Sequence, residues 1–224
     1  MIKITFLGTG TSQGIPVVGS DHPVSLSENL KDKRLRSSVL ISWDNFNLLI
    51  DCGPDFRQQM IRSNCSKLDS VLFTHEHADH TSGLDDIRPF SYRQGKIPVY
   101  LHERVLNSLE TRFAYIFNEN QRYPGAPEFT VNLIDKENKF EVGGKVIIPI
   151  EVLHQKLPVL GFRIENFAYL TDVKTIESKE IDKIYDLDVL VLNALRYEPH
   201  PTHLNIDEAC EIIDKIKPKK TYLT

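Results

Sequence analysis

Short apolar runs recur along the 224 residues, some alternating with polar positions and some unbroken, separated by stretches rich in Gly, Pro, Asn and charge. Alternation marks a half-buried strand, an unbroken short run a buried one, and spacing of three and four a helix. Ile2, Ile4 and Phe6 predict a first strand over residues 2 to 7. Gly8 to Gly14 is a glycine and hydroxyl loop that reads as a turn rather than a nucleotide cradle, because no helix pattern follows it. Residues 15 to 34, rich in Pro, Ser, Asn and charge, read as a surface excursion. Val39-Leu40-Ile41 and Phe46 to Ile50 predict a hairpin turned at Asp44-Asn45. A helix over 56 to 63 follows, then the buried run Val71-Leu72-Phe73, a strand ending at Thr74. From Gly83 the pattern turns helical until Pro89 bends or ends it. Residues 97 to 101 are a strand and 103 to 117 helical, with Phe113, Tyr115 and Phe117 assigned to the core.

The second half is rich in strands. Residues 128 to 172 carry several, with Gly143-Gly144 as a hairpin turn, a run from Val146 to His154, and a further hairpin made by 159 to 164 and 167 to 171. A helix over 178 to 185 and a buried strand over 189 to 192 follow. Asn205, with Glu208 three residues on, signals a helix start. Ile206, Ala209, Cys210 and Ile213 then share one helical face, which places Cys210 in the core. Residues 219 to 224 begin a last strand. The length suits a single domain over residues 1 to 224.

The densest chemistry lies in Phe73-Thr74-His75-Glu76-His77-Ala78-Asp79-His80, where three of the chain's eight histidines fall within six positions. Neutral imidazole and carboxylate are the ligands that zinc, manganese and iron accept in hydrolytic sites. In an extended loop His75 and His77 project to one side and can reach one ion, while Asp79 and His80 can serve a second. A chance cluster of loop histidines is the bland alternative, and the scarcity of histidine weighs against it. Other candidates stand singly at strand ends. Asp51 fits either a carboxylate that orients a metal-bound histidine or a helix N-cap ahead of Pro54. His154 ends an apolar run and, taken alone, is more often a structural histidine. Asp172 follows an apolar run and Thr171, repeating the pattern of Thr74-His75.

Lys plus Arg number 27 and Asp plus Glu 31, a net charge of −4, which argues against nucleic-acid or anionic-membrane binding through bulk charge and leaves a local basic patch open. Cys52, Cys65 and Cys210 are isolated and odd in number, so neither a disulfide framework nor a cysteine zinc site is expected. No apolar run approaches a membrane span. A cytoplasmic protein is expected, and a homodimer is left open.

The His-x-His-x-Asp-His run after an apolar strand resembles the signature of the metallo-β-lactamase superfamily. Gly8 to Gly14, Asp51-Cys52-Gly53, His154, Tyr169 to Asp172 and residues 200 to 209 occur in the superfamily's order. Gly83 to Phe90, Leu157 to Arg163 and Pro199-His200-Pro201-Thr202-His203 look like its phosphodiesterase branch, above all the phosphoribosyl cyclic-phosphate phosphodiesterases of phosphonate breakdown. That branch is also similar to the tRNA-maturing endonucleases.

The resemblance implies an α/β fold, the αββα four-layer sandwich of two mixed sheets face to face with helices outside. It implies two divalent ions, zinc or manganese or else iron, with His75, His77 and His154 on the first, Asp79 and His80 on the second, and Asp172 bridging. A metal-bridging hydroxide would then cleave a small or cyclic phosphodiester, with Asp79 among the catalytic groups. His203, spaced like the endonucleases' general acid, is the preferred proton donor and His200 the second choice.

Two departures stand out. The family supplies one more histidine after a strand that ends like Tyr222-Leu223-Thr224, and here it is absent. A chain lacking its C-terminal end is therefore expected, with a weakened second ion unless His22, a neighbouring subunit or water substitutes. The Gly19 to Ser27 loop has Ser20, His22 and Ser25 where phosphonate-pathway relatives carry a cysteine-rich zinc site, so no such zinc is expected. The substrate is expected to be a small molecule rather than nucleic acid, since no long basic Gly/Pro-rich arm is visible. A thioester or lactone hydrolase of glyoxalase type and a non-catalytic module with a degenerate metal site are the competing readings.

Overall fold

The computed structural model describes residues 1 to 224 as two units, Met1–Leu133 and Ile134–Thr224, each built on its own mixed sheet. The first contains β1 (Lys3–Gly8), α1 (Pro23–Leu26), β2 (Ser38–Trp43), β3 (Phe46–Ile50), α2 (Phe56–Arg62), β4 (Ser70–Leu72), α3 (Ala78–Thr81), α4 (Arg88–Gln94), β5 (Ile97–Leu101), α5 (Glu103–Arg112), α6 (Ala114–Phe117) and β6 (Phe129–Leu133). The sheet runs in the order β1-β2-β3-β4-β5-β6, antiparallel as far as β3 and parallel from β3 onward. The β2–β3 hairpin closes at Asp44-Asn45, both at positive φ (43° and 64°), as a tight two-residue turn requires. Parallel pairing of β3 with β4 needs a crossover, and α2 supplies it, burying Phe56 and Met60 with Leu49, Val71 and Phe73.

Three sequence expectations shift in this unit. The strand before His75 ends at Leu72 rather than Thr74, although Phe73 N–H still reaches the Tyr100 carbonyl at 2.9 Å. The helical stretch from Gly83 changes from a 3-10 turn at Leu84–Ile87 to α4, and Pro89 lies in the first turn of α4, where its missing N–H and fixed φ cost nothing. The stretch from 103 to 117 breaks at Phe113 into α5 and α6. Phe113, Tyr115 and Phe117 are two residues apart and cannot share one face of a continuous helix; with the break, all three pack against the core.

The second unit contains β7 (Phe140–Val142), β8 (Lys145–His154), β9 (Leu157–Ile164), β10 (Phe167–Leu170), β11 (Thr175–Ile176), α7 (Ser178–Ile181), β12 (Val189–Leu192), α8 (Ile206–Ile216) and β13 (Lys220–Leu223). Its sheet runs β11-β8-β9-β10-β12-β13, with β7 beside β8; β10, β12 and β13 are parallel and the rest antiparallel. The helix start expected at Asn205 is a capping box with Glu208 that opens α8, each side chain meeting the other's backbone N–H. Cys210 is a correction: it is exposed. The inward stripe of α8 is Ala209, Ile213 and Ile216, and Cys210 sits about 100° further round from Ala209. No helix is long and apolar enough to cross a membrane.

Candidate functional site

Because β3 and β4 are parallel and in register at Ile50 and Leu72, the residues after each strand leave the sheet at the same edge. Asp51 emerges there, fully buried and in the left-handed region at φ 62°, which a short Asp side chain tolerates. Its carboxylate accepts the Thr74 N–H at 2.9 Å and the Thr74 hydroxyl at 2.9 Å, and meets His80 Nδ1 at 2.7 Å. Burial pushes the Asp51 carboxyl up, against the pull of His80 and Thr74. It caps no helix, which leaves the orienting role of the two proposed from sequence; the residue before α2 is Asp55, bound to Arg36 at 2.9 Å.

These contacts fix tautomers. An ionised carboxylate only accepts, so His80 Nδ1 carries the proton and Nε2 is left as the acceptor. The Thr74 hydroxyl donates to Asp51, so towards His75 Nδ1, 2.9 Å away, it must accept; His75 is then protonated at Nδ1 as well. One buried carboxylate therefore sets two rings, one directly and one through a hydroxyl. His80 Nε2 lies 3.3 Å from Asp79 Oδ2, and the His75 ring centroid is 4.6 Å from that of His77 and 4.3 Å from that of His80. His75 and His80 are buried, Asp79 is half-buried and His77 exposed. Behind them Cys52 N–H binds the His80 carbonyl at 2.8 Å, and at Gly53 a Cβ would stand 2.0 Å from the Asp79 carbonyl oxygen, so only glycine fits.

The second unit carries a matching set. Asp172 follows β10 and, like Asp51, is in the left-handed region, at φ 55°. Thr171 donates to its carboxylate at 2.6 Å. Its turn is clasped by buried Asn193, which accepts from Val173 N–H at 2.6 Å and donates to the Val173 carbonyl at 3.2 Å. At the end of β8, His154 Nδ1 faces the Thr202 carbonyl at 2.8 Å. A carbonyl can only accept, so this ring too presents Nε2 as its acceptor. The loop that supplies Thr202 brings His203 Nδ1 to 3.8 Å from Asp172 Oδ1, with the His154 and His203 ring centroids 4.5 Å apart. His154, Asp172 and His203 each offer a ligand atom, all within 4.8 Å of one another, so this trio could hold an ion. His200 stands one ring further out, 5.2 Å from His203 between centroids; burial and the nearby Arg196 lower its pKa.

Within the first unit the fold thus gathers Asp51, His75, His77, Asp79 and His80, and within the second His154, Asp172, His200 and His203. His22 is engaged as the N-cap of α1, its Nδ1 accepting the Val24 N–H at 3.2 Å. Sequence reasoning passed over Asn193, although a polar residue directly after the buried run Val189 to Leu192 was the available signal. It also passed over Arg112, which no local pattern marks. The first unit further has a cavity of about 140 Å³ lined by Lys31, Lys33, Arg34 and Arg62, a local basic patch on a net acidic chain.

A family profile described as a β-lactamase superfamily domain matches residues 46–224. A crystal structure of a diphosphatase from the PhnP family superposes over 100% of this chain and 86% of that one, with a TM-score of 0.92 and 37% identity. The octanoyltransferase of Porphyromonas gingivalis is 40% identical over 217 residues, 96% of this chain and 44% of that protein. The ribonuclease Z of Bradyrhizobium diazoefficiens is 36% identical over 173 residues, 75% of this chain and 51% of that one. The chain spans about half the length of these two curated relatives.

Proposed function

Because the chain belongs to the β-lactamase superfamily domain family, we propose that it is a metal-dependent hydrolase that cleaves a small or cyclic phosphodiester. The observation that carries this reading is the 3.3 Å approach of His80 Nε2 to Asp79 Oδ2, about the edge of a ligand tetrahedron around zinc at its usual bond lengths. His75, His77 and His154 are assigned to one ion, Asp79 and His80 to another, and Asp172 to both. The donors suit zinc or manganese, and iron as well. Bound divalent ions would supply Lewis acidity at a phosphoryl oxygen and a water acidic enough to attack near neutral pH. The chain's own part is to hold the donors in place: Asp51 and Thr74 for His80 and His75, the Thr202 carbonyl for His154. The family match runs through the boundary between the two units, which supports reading residues 1 to 224 as one working domain. Three free cysteines suit a reducing compartment such as the cytoplasm.

His203, beside Asp172, is assigned the proton for the departing oxygen, with His200 behind it. His203→Ala is expected to keep both ions, measured by elemental analysis, and to lose most of its turnover of bis-p-nitrophenyl phosphate. Loss of metal would make His203 a ligand instead, and unchanged turnover would remove it from the reaction. The 37% identical diphosphatase supports phosphoryl chemistry. The second reading, hydrolysis of a thioester or lactone, draws on the relative named an octanoyltransferase. Assaying an octanoyl thioester, bis-p-nitrophenyl phosphate and a precursor tRNA side by side separates the acyl, small-diester and RNA readings. Bound metal with turnover of none of them would favour a non-catalytic module.

A further inference from the structure

We propose that Arg112, at the C-terminal end of α5, is a positioning residue for the loop that carries His75, His77, Asp79 and His80; the inference rests on that loop holding metal. Its Nη2 donates to the Glu76 carbonyl at 2.9 Å and to the Thr81 hydroxyl at 2.9 Å. The Thr81 hydroxyl in turn donates to the His77 carbonyl at 2.8 Å. One cation therefore fixes the backbone on both sides of His77, the exposed member of the set. At the other end of α5, Arg104 pairs with the Glu76 carboxylate at 3.3 Å, so the helix grips the residue between the two histidines by carbonyl and side chain alike. Burial of the guanidinium lowers its pKa from an ordinary value high enough that it stays charged. The loop is thus held twice: Asp51 and Thr74 set the rings of His75 and His80, and Arg112 with Thr81 sets the peptide that carries His77.

The test uses the full chain, with zinc alone as the probe. Apparent zinc affinity is read by competition with a chromophoric chelator, and the stability of the metal-free protein by thermal melting. Arg112→Ala is expected to weaken zinc binding about tenfold, the lower end of what loss of an outer-shell contact costs, while the metal-free melting curve stays close to wild type. Arg112→Lys, which restores one donor, should recover part of the loss. Thr81→Val should reproduce it, and the double variant Arg112→Ala with Thr81→Val should lose little more, because both break one chain of contacts. If Arg112→Ala fails to fold, the Lys and Val variants carry the same comparison. Wild-type zinc affinity in Arg112→Ala or Thr81→Val overturns the positioning role and leaves the metal centre standing. A wild-type chain that takes up neither zinc nor manganese overturns the metal centre and this role with it.

Discussion

Asp51 illustrates how much one buried carboxylate can organise. It is fully buried, yet every contact it makes has a donor, so its burial is tolerated and its geometry becomes fixed. Thr74 is the weak point of that arrangement, because its hydroxyl serves Asp51 and His75 together. Thr74→Val keeps the shape and removes the hydroxyl, leaving a buried acceptor and a ring nitrogen without that partner. The expected cost is about 2 kcal/mol in urea unfolding of the metal-free protein and about a tenfold loss of zinc affinity as His75 turns away from its set orientation. Thr74→Ser should restore both. If Thr74→Val binds zinc as the wild type does, the hydroxyl does not set His75.

At the scale of elements, strand ends deliver the candidate donors and the loops between them are locked by backbone contacts. The loop from Asn193 to Asn205 matters most in the second unit, since it supplies both the Thr202 carbonyl and His203. It ends in the capping box of α8, and the Asn205 amide also donates to the Tyr197 carbonyl at 3.2 Å. Asn205→Ala removes the cap and this tie at once. A loss of about 1 kcal/mol is expected in chemical denaturation, with turnover of bis-p-nitrophenyl phosphate falling more than metal content because His203, the proposed proton donor, is released. Wild-type stability in this variant would show that the box contributes nothing measurable.

For the whole molecule, the decisive property is whether folding and metal are linked. A ligand that binds only the folded chain stabilises it by about 2.7 kcal/mol at a hundredfold excess over its dissociation constant. Stripping the protein with a chelator should therefore lower its melting temperature, and adding zinc or manganese should restore it. Identical melting curves with and without metal would mean that these histidines and aspartates hold no ion.

The chain's own order of residues marked the candidate donors. Histidine is scarce, three fall in one short loop, and Asp51, His154 and Asp172 each follow an apolar run, so type and position along the strands were legible locally. The hairpin at Asp44-Asn45 and the helix start at Asn205 were equally legible, because turns and helix starts are made by neighbours in sequence. Pairings between distant residues were decided only in three dimensions. Whether Asp51 caps a helix or orients His80 depends on the register of β3 with β4, and the 49 positions from His154 to His203 close only because a loop returns to the end of β8. Cys210 and Arg112 mark the same limit from opposite sides. A helical face reads correctly from sequence only to within a residue or so, and a surface arginine gains a role only from the loop that folding lays beside it.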